Sequence, residues 1–229
     1  MTGARVPTAV LISGRGSNMA ALLEAADPAF PAEIALVLSN DPAAPGLARA
    51  AAEGVETASV DHRAFGRDRE AFERAMSARI EAAGAEIVCL AGFMRLLTPW
   101  FVRRWRDRLL NIHPALLPAF RGLDTHARAM EAGVALHGCT VHLVREEMDD
   151  GPILGQAALA TRRGEDAEAL GRRVLALEHR LYPACLAGWA SGALSLRDGR
   201  VSGGPVLLTD PADCARARPP VAGAPHLLL

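Results

Sequence analysis

Short apolar runs alternate with longer amphipathic stretches along most of the chain, and this alternation predicts its elements. Residues 8–12 read as a buried strand and 18–26 as the helix after it. A second apolar run at 33–38 is followed by an alanine-rich helix over 45–53, which Gly54 stops. A weaker strand at 56–60 leads to a helix over 67–83, closed by Gly84, and two further strands fall at 86–91 and 108–112. Strand–helix alternation at this spacing predicts a parallel sheet covered on both faces. Beyond His113 the pattern changes, with two β-like runs, 137–144 and 152–160, sitting close together around an acidic turn. A long helix over 165–186 and a hairpin around 197–200 follow. From Gly203 onward the chain is rich in Pro, Ala and Gly and reads as largely irregular. The predicted class is α/β, an open and mostly parallel sheet with helices on both faces and a late antiparallel portion.

The 229 residues allow one large domain, or a compact domain with a short extension. Half of them are hydrophobic, enough for a sizeable core, and a charged share of 22% is that of a globular chain. A formal net charge of −1 argues against a nucleic-acid binder that relies on a broad basic surface, while leaving room for a local anion site. The apolar run ending near Ile12 is too short to span a membrane and lacks the cleavage site of a signal peptide, so no membrane association and a cytoplasmic location are expected. Cys89, Cys139, Cys185 and Cys214 lie far apart with no C-x-x-C pair, which argues against a zinc ribbon or a dense disulfide framework. No lysine occurs, which rules out lysine Schiff-base chemistry and a Walker P-loop.

Three stretches carry candidate chemistry. Between the first strand and the first helix, residues 13–18 read Ser-Gly-Arg-Gly-Ser-Asn. Gly14 and Gly16 permit positive φ and close backbone approach, and Ser17 and Asn18 stand beside the free N–H groups of a helix N-terminus. That suits a phosphate monoester, although a tight turn with a capped helix accounts for the same residues. Met19 stands where the dinucleotide fingerprint needs its third glycine. The second stretch is Leu-Asn-Ile-His-Pro at 110–114, where Asn111 and His113 are two apart on a strand and so share a face. An amide donor beside an imidazole can stabilise an oxyanion, while a local backbone bond and a structural histidine are the plainer alternatives. The third is Met-Asp-Asp-Gly-Pro at 148–152, first of all a turn. One of its carboxylates, facing an imidazole, would hold it protonated and accept a proton from a reacting amine.

Taken in order and spacing, Gly-Arg-Gly-Ser-Asn at 14–18, Leu-Ala-Gly-Phe-Met-Arg at 90–95, Leu-Asn-Ile-His-Pro at 110–114 with Leu-Leu-Pro at 116–118, and Met-Asp-Asp-Gly-Pro at 148–152 closely resemble the phosphoribosylglycinamide formyltransferase family. The resemblance runs from about Val10 to Gly199 and includes Glu-His-Arg-Leu-Tyr-Pro at 178–183. It implies a Rossmann-like formyltransferase fold and direct transfer of a formyl group from 10-formyltetrahydrofolate, a co-substrate, to the amine of glycinamide ribonucleotide in purine synthesis. By motif, Asn111, His113 and Asp149 would be the catalytic trio. Gly16, Ser17 and Asn18 would hold the ribonucleotide phosphate, and Glu178 another part of that substrate. Arg69, Met94, Arg95, Leu96 and Leu97 would contact the folate, with Asn111. Arg145, Glu146, Glu147, Met148 and Asp149 would form the loop around its pterin. No metal and no covalent formyl-enzyme are implied, and the expected state is a monomer or a homodimer. The implied catalytic domain spans residues 1–202, a phosphate-binding half to about 105 and a folate and catalytic half after it, with 203–229 as a tail. Ala115 stands where relatives often have serine, and Asp150 where a small residue is common.

Rival readings are separable on the sequence. A methionyl-tRNA formyltransferase shares an Asn-x-His-Pro motif but carries a further RNA-binding domain, for which the residues after Gly192 are too few and too little basic. A formyltetrahydrofolate hydrolase would place a regulatory domain before a catalytic domain that here begins almost at once. A non-catalytic folate- or nucleotide-binding module would have no need of Asn111, His113 and Asp149 together.

Overall fold

The computed structural model describes residues 4–203 and 206–209. Its strands are β1 Val6–Ile12, β2 Ala32–Ser39, β3 Thr57–Ser59, β4 Ile87–Leu90, β5 Leu109–His113, β6 Leu136–Leu143, β7 Ile153–Ala160, β8 Ser195–Arg197, β9 Arg200–Ser202 and β10 Val206–Thr209. Eight of them form one sheet in the order β10-β7-β6-β5-β4-β1-β2-β3, and β8 and β9 form the small hairpin. From β3 through β1 and β4 to β5 every pairing is parallel. The β5–β6 and β6–β7 pairings are antiparallel, and β10 adds in parallel to β7. The expected fold class holds, parallel first half and antiparallel later portion included.

The helices are α1 Ser17–Ala25, α2 Pro45–Ala52, α3 Arg69–Ala82, α4 Pro99–Arg104, α5 Thr125–Glu131 and α6 Ala167–Ala190. Alternation along β1 divides the core into two layers. Val10 and Ile12 pack on the α1 and α6 side, among Met19, Leu22, Val174 and Leu181. Ala9 and Leu11 pack on the α3 and α4 side, among Phe72, Met76, Ile80 and Phe101. Asp68 and Asp166 cap α3 and α6, accepting from the N–H groups of Ala71 and Ala169. Among the described residues no helix is long and apolar enough to cross a membrane.

Three features add to the expectations. Within the stretch from Gly203, read as largely irregular, Val206–Thr209 forms a strand that pairs with β7; residues 204–205 and 210–229 lie outside the described residues. The apolar residues of this strand were overshadowed by the Pro, Ala and Gly around them. Helix α5 follows the proline-rich loop and was not expected. In the basic run at 101–108 Phe101, Val102 and Trp105 are buried, while its arginines stay outside or half-buried.

The topology sets up a cleft. The chain leaves β1 for β2 and β3 on one side, then returns through α3 to β4 on the other. The carboxyl ends of β1 and β4 are therefore where strand order reverses, the place where open α/β sheets gather ligands. Beneath the loop after β5, His126 of α5 and His137 of β6 meet at 3.1 Å through Nδ1 and Nε2, and the His137 ring stands edge-on to Phe120.

Burial, and after it the neighbouring His126, pushes the imidazole of His137 down to about 4, from an ordinary value near 6.5. A histidine held neutral in this way contributes stability that is present above the unfolded value and lost as pH falls towards the folded one. Acidification from pH 7 to 4.5 should therefore weaken the fold, by up to about 3 kcal/mol from this residue. The buried carboxyls of Glu73 and Glu178, pushed upward by desolvation, act in the opposite sense. The comparison is thus urea denaturation of the wild type against His137→Gln across that range. The variant should show the shallower loss below pH 6.5, and parallel curves would remove His137 from the account.

Candidate active site

At the carboxyl end of β1 the chain turns through Ser13–Gly16 into α1. Gly16 adopts a left-handed backbone, φ 67°, and stands as the N-cap without any side-chain cap. The side-chain oxygens of Ser17 and Asn18 are not used for capping, which differs from the plainer reading of this turn. By helix geometry the first N–H groups of α1 have no intrahelical acceptor. The turn and the segment after β4 enclose a cavity of about 240 Å³, lined by Ser13 to Asn18 with Ala91, Gly92 and Met94. The turn is braced from α2: Gly46 N–H donates to the Gly14 carbonyl at 3.1 Å, and a Cβ on Gly46 would lie 2.8 Å from that oxygen.

Behind the turn, Asn18 Nδ2 donates to Glu178 Oε2 at 2.6 Å, joining the first and last helices across 160 residues of sequence. Both side chains are buried. Desolvation pushes the Glu178 carboxyl above its ordinary range, and the Asn18 bond offsets only part of that. Asn18 Oδ1 is buried with no hydrogen-bond partner among the described residues.

Two strands along, β5 carries Asn111 and His113 on one face, as the spacing predicts. The parallel register sets Leu90 beside Asn111, and the antiparallel register sets Asn111 opposite His142 and His113 opposite Thr140. His142 Nδ1 donates to the Leu143 carbonyl at 3.0 Å, and burial pushes this imidazole down, so its Nε2 is the acceptor for Asn111 Nδ2 at 3.2 Å. The remaining amide hydrogen of Asn111 is left for another acceptor. His113 Nδ1 lies 3.4 Å from Asp149 Oδ2, and its Nε2 lies 3.0 Å from the Phe120 carbonyl. The ring is thus held between the Phe120 carbonyl on one nitrogen and the Asp149 carboxylate beside the other.

Asp149 comes to this point on the β6–β7 turn, in a left-handed backbone with φ 54°. A non-glycine residue in that region is strained, and such strain persists only where the surroundings fix it. Gly122 N–H donates to Asp149 Oδ2 at 2.9 Å, Arg121 pairs with the adjacent Asp150, and Arg145 is anchored on Asp107 at 2.6 Å. The choice between the two carboxylates is thereby made: Asp149 faces His113, and Asp150 faces outward to Arg121.

The remaining predicted residues flank this cluster. Arg69 starts α3 and its guanidinium bonds the Leu96 carbonyl. Met94 is 69% exposed and Leu96 68%, beside exposed Arg95 and half-buried Leu97. Across the turn, Met148 is 54% exposed, next to exposed Glu146 and Glu147, with Glu146 3.7 Å from Arg103. Sequence reasoning missed His142, Gly46 and the Phe120–Gly122 backbone. Of these only His142 left a signal, its place on a run that the antiparallel turn folds back against β5.

Comparison with known proteins gives a consistent picture. The formyl transferase family model matches residues 6–186. The chain is 40% identical over 190 residues to phosphoribosylglycinamide formyltransferase of Escherichia coli, covering 82% of this chain and 89% of that protein. It is 44% identical over 195 residues to the trifunctional purine biosynthetic protein adenosine-3 of Bos taurus, covering 84% of this chain and 19% of that one. The chain thus spans about a fifth of the length of the trifunctional relatives it matches. Among solved structures it is similar to glycinamide ribonucleotide transformylase 1 of Symbiobacterium toebii, with TM-score 0.83 and 42% identity over 89% of this chain and 94% of that one. It is likewise similar to phosphoribosylglycinamide formyltransferase of Brucella melitensis, with TM-score 0.78 and 50% identity over 82% and 97%.

Proposed function

The chain belongs to the formyl transferase family, and from that premise we propose that it moves the formyl group of 10-formyltetrahydrofolate onto the primary amine of phosphoribosylglycinamide, releasing tetrahydrofolate. The observation that carries this reading is the convergence of Asn111, His113 and Asp149 at the end of β5, two strands from the cavity beside the glycine turn. Two strand separations are roughly 10 Å, the reach of a phosphorylated ribose with a short amide arm. The phosphate would lie on the N–H groups at Gly16, Ser17 and Asn18, where a helix N-terminus favours an anion. Glu178 would accept from the ribose hydroxyls. Arg69, the Met94–Leu97 segment and the loop from Arg145 to Asp149 would hold the folate, the exposed Met94, Leu96 and Met148 covering its apolar parts.

In the reaction the amine nitrogen attacks the formyl carbon and the carbonyl oxygen becomes an oxyanion. Asn111, its amide turned by His142, supplies one N–H donor. His113 supplies the second once its Nε2–H exchanges the Phe120 carbonyl for the oxyanion, and Asp149 holds the positive charge of the ring. Collapse breaks the bond from the formyl carbon to the folate nitrogen. The proton lost by the amine passes by way of Asp149, directly or through water, to that nitrogen. Nothing in this sequence needs a formyl group bound to the protein.

The direct test is spectrophotometric formation of tetrahydrofolate product with and without phosphoribosylglycinamide. Product that depends on the ribonucleotide supports the transferase; product without it would replace this reading with a hydrolase. Asn111→Ala should lower kcat by about 10²–10³, the usual worth of one oxyanion donor. Asp149→Asn should fall comparably, and near-normal turnover in either folded variant would sink the assignment. A separate variant addresses the turn. Gly46→Ala drives a methyl group into the Gly14 carbonyl and should raise KM for the ribonucleotide by about ten-fold, with a smaller change in KM for the folate, because overpacking there costs about 1–3 kcal/mol. Equal increases for both substrates would show that the turn is not the ribonucleotide's own site.

A further inference from the structure

We infer that Ser13 is a positioning residue that couples the two substrate regions, so that ribonucleotide on the glycine turn tightens the binding of folate. The inference rests on the transferase reading above and adds a property which that reading does not require. Ser13 opens the glycine turn, and its hydroxyl is used in both directions. It donates to Asn40 Oδ1 at 2.6 Å and accepts from the Met94 N–H at 2.8 Å, while the Ser13 N–H donates to the Gly92 carbonyl at 3.2 Å. The same residue thus fixes the first atom of the phosphate turn and the backbone of the exposed apolar segment at 94–97.

A second path leaves Ser13 through Asn40 and arrives at the same segment from its other end. Asn40 is buried at the carboxyl end of β2, and its carbonyl accepts from His62 Nδ1 at 2.9 Å. The His62 ring stands edge-on to Phe72 of α3, centroids 6.4 Å apart. Helix α3 begins at Arg69, whose guanidinium holds the Leu96 carbonyl. Both ends of the Met94–Leu96 segment are therefore tied to one hydroxyl. When an anion orders the turn, Ser13 is held in the position in which Met94 N–H and Asn40 are both satisfied. Without that hydroxyl, the Met94 N–H and the buried Asn40 Oδ1 lose their partner, and the two regions move independently. The coupling available through one neutral hydrogen bond is about five-fold in affinity.

The test uses an unreactive pair: tetrahydrofolate titrated calorimetrically into the full chain, alone and with saturating phosphoribosylglycinamide. In the wild type the ribonucleotide should tighten tetrahydrofolate about five-fold. In Ser13→Ala that factor should fall to between one and two, and Ser13→Thr, which keeps the hydroxyl, should retain most of it. A purely structural role would alter stability without altering the ratio of the two dissociation constants, so urea denaturation is run beside the titrations. An unchanged ratio in Ser13→Ala overturns the inference, as does a wild type that binds both ligands without any coupling. A wild type that binds neither ligand overturns the transferase reading itself, and the inference with it.

Discussion

Asn111 stands where a parallel pairing meets an antiparallel one, and the chemistry of the molecule depends on that register. Its neighbour on one side is Leu90, at the end of the strand beside the glycine-turn cavity; on the other side it is His142, which accepts from its amide. A slip of one residue in either pairing would turn Asn111 and His113 to the opposite face of the sheet. The core protects against such a slip, because Leu110 and Ile112 are buried in the layer beneath α6. Tyr182 of that helix adds a further lock by donating to the carbonyls of Leu90 or Leu110, each 3.1 Å away. The hydrophobic pattern of β5 and the placing of its polar residues are one constraint seen from two faces.

The cleft is also where the protein accepts local cost. Asp149 is a left-handed aspartate, Glu178 a carboxyl raised by burial, and Asn18 carries a buried acceptor with no partner among the described residues. Each is unfavourable for folding alone. They are clustered at the cavity and the acidic turn, whereas the two hydrophobic layers are continuous. Local costs of this kind, gathered beside a cavity, suit a site shaped for something other than stability.

Much of this was legible in the sequence because the informative residues are close neighbours in the chain. The glycine turn, the Asn-Ile-His-Pro strand end and the acidic turn are each a few residues long, and each follows an apolar run whose period fixes its place on the sheet. The choice between Asp149 and Asp150 was not legible from spacing; it needed the path of the turn, which sends one side chain to His113 and the other to Arg121. His142 was hidden for a related reason, since its role comes from the antiparallel register and not from any motif. Gly46 and Asn40 lie on segments that come near the turn only after β2 packs beside β1, so no local pattern could disclose them. Strand β10 was missed because composition described its surroundings better than its own four residues.

The arrangement bears on why a direct transfer suits this scaffold. Under the proposed reading, a phosphate anchored at β1 and a folate held at the loops after β4 and β6 bring two small molecules together over β5. Holding reactants in this way supplies much of a barrier that would otherwise be met by forming a covalent intermediate. What is left for side chains is to stabilise charge on one oxygen and to move one proton, work for which an amide, an imidazole and a carboxylate suffice. None of the four cysteines is called upon. Cys89, Cys139 and Cys185 are buried with thiols pushed well above their ordinary range, so they are poor nucleophiles in the place where the fold has put them. Cys89 on β4 and Cys139 on β6 point into the core layer beneath α6, while Asn111 and His113 stand at the carboxyl end of the intervening strand β5 on its other face.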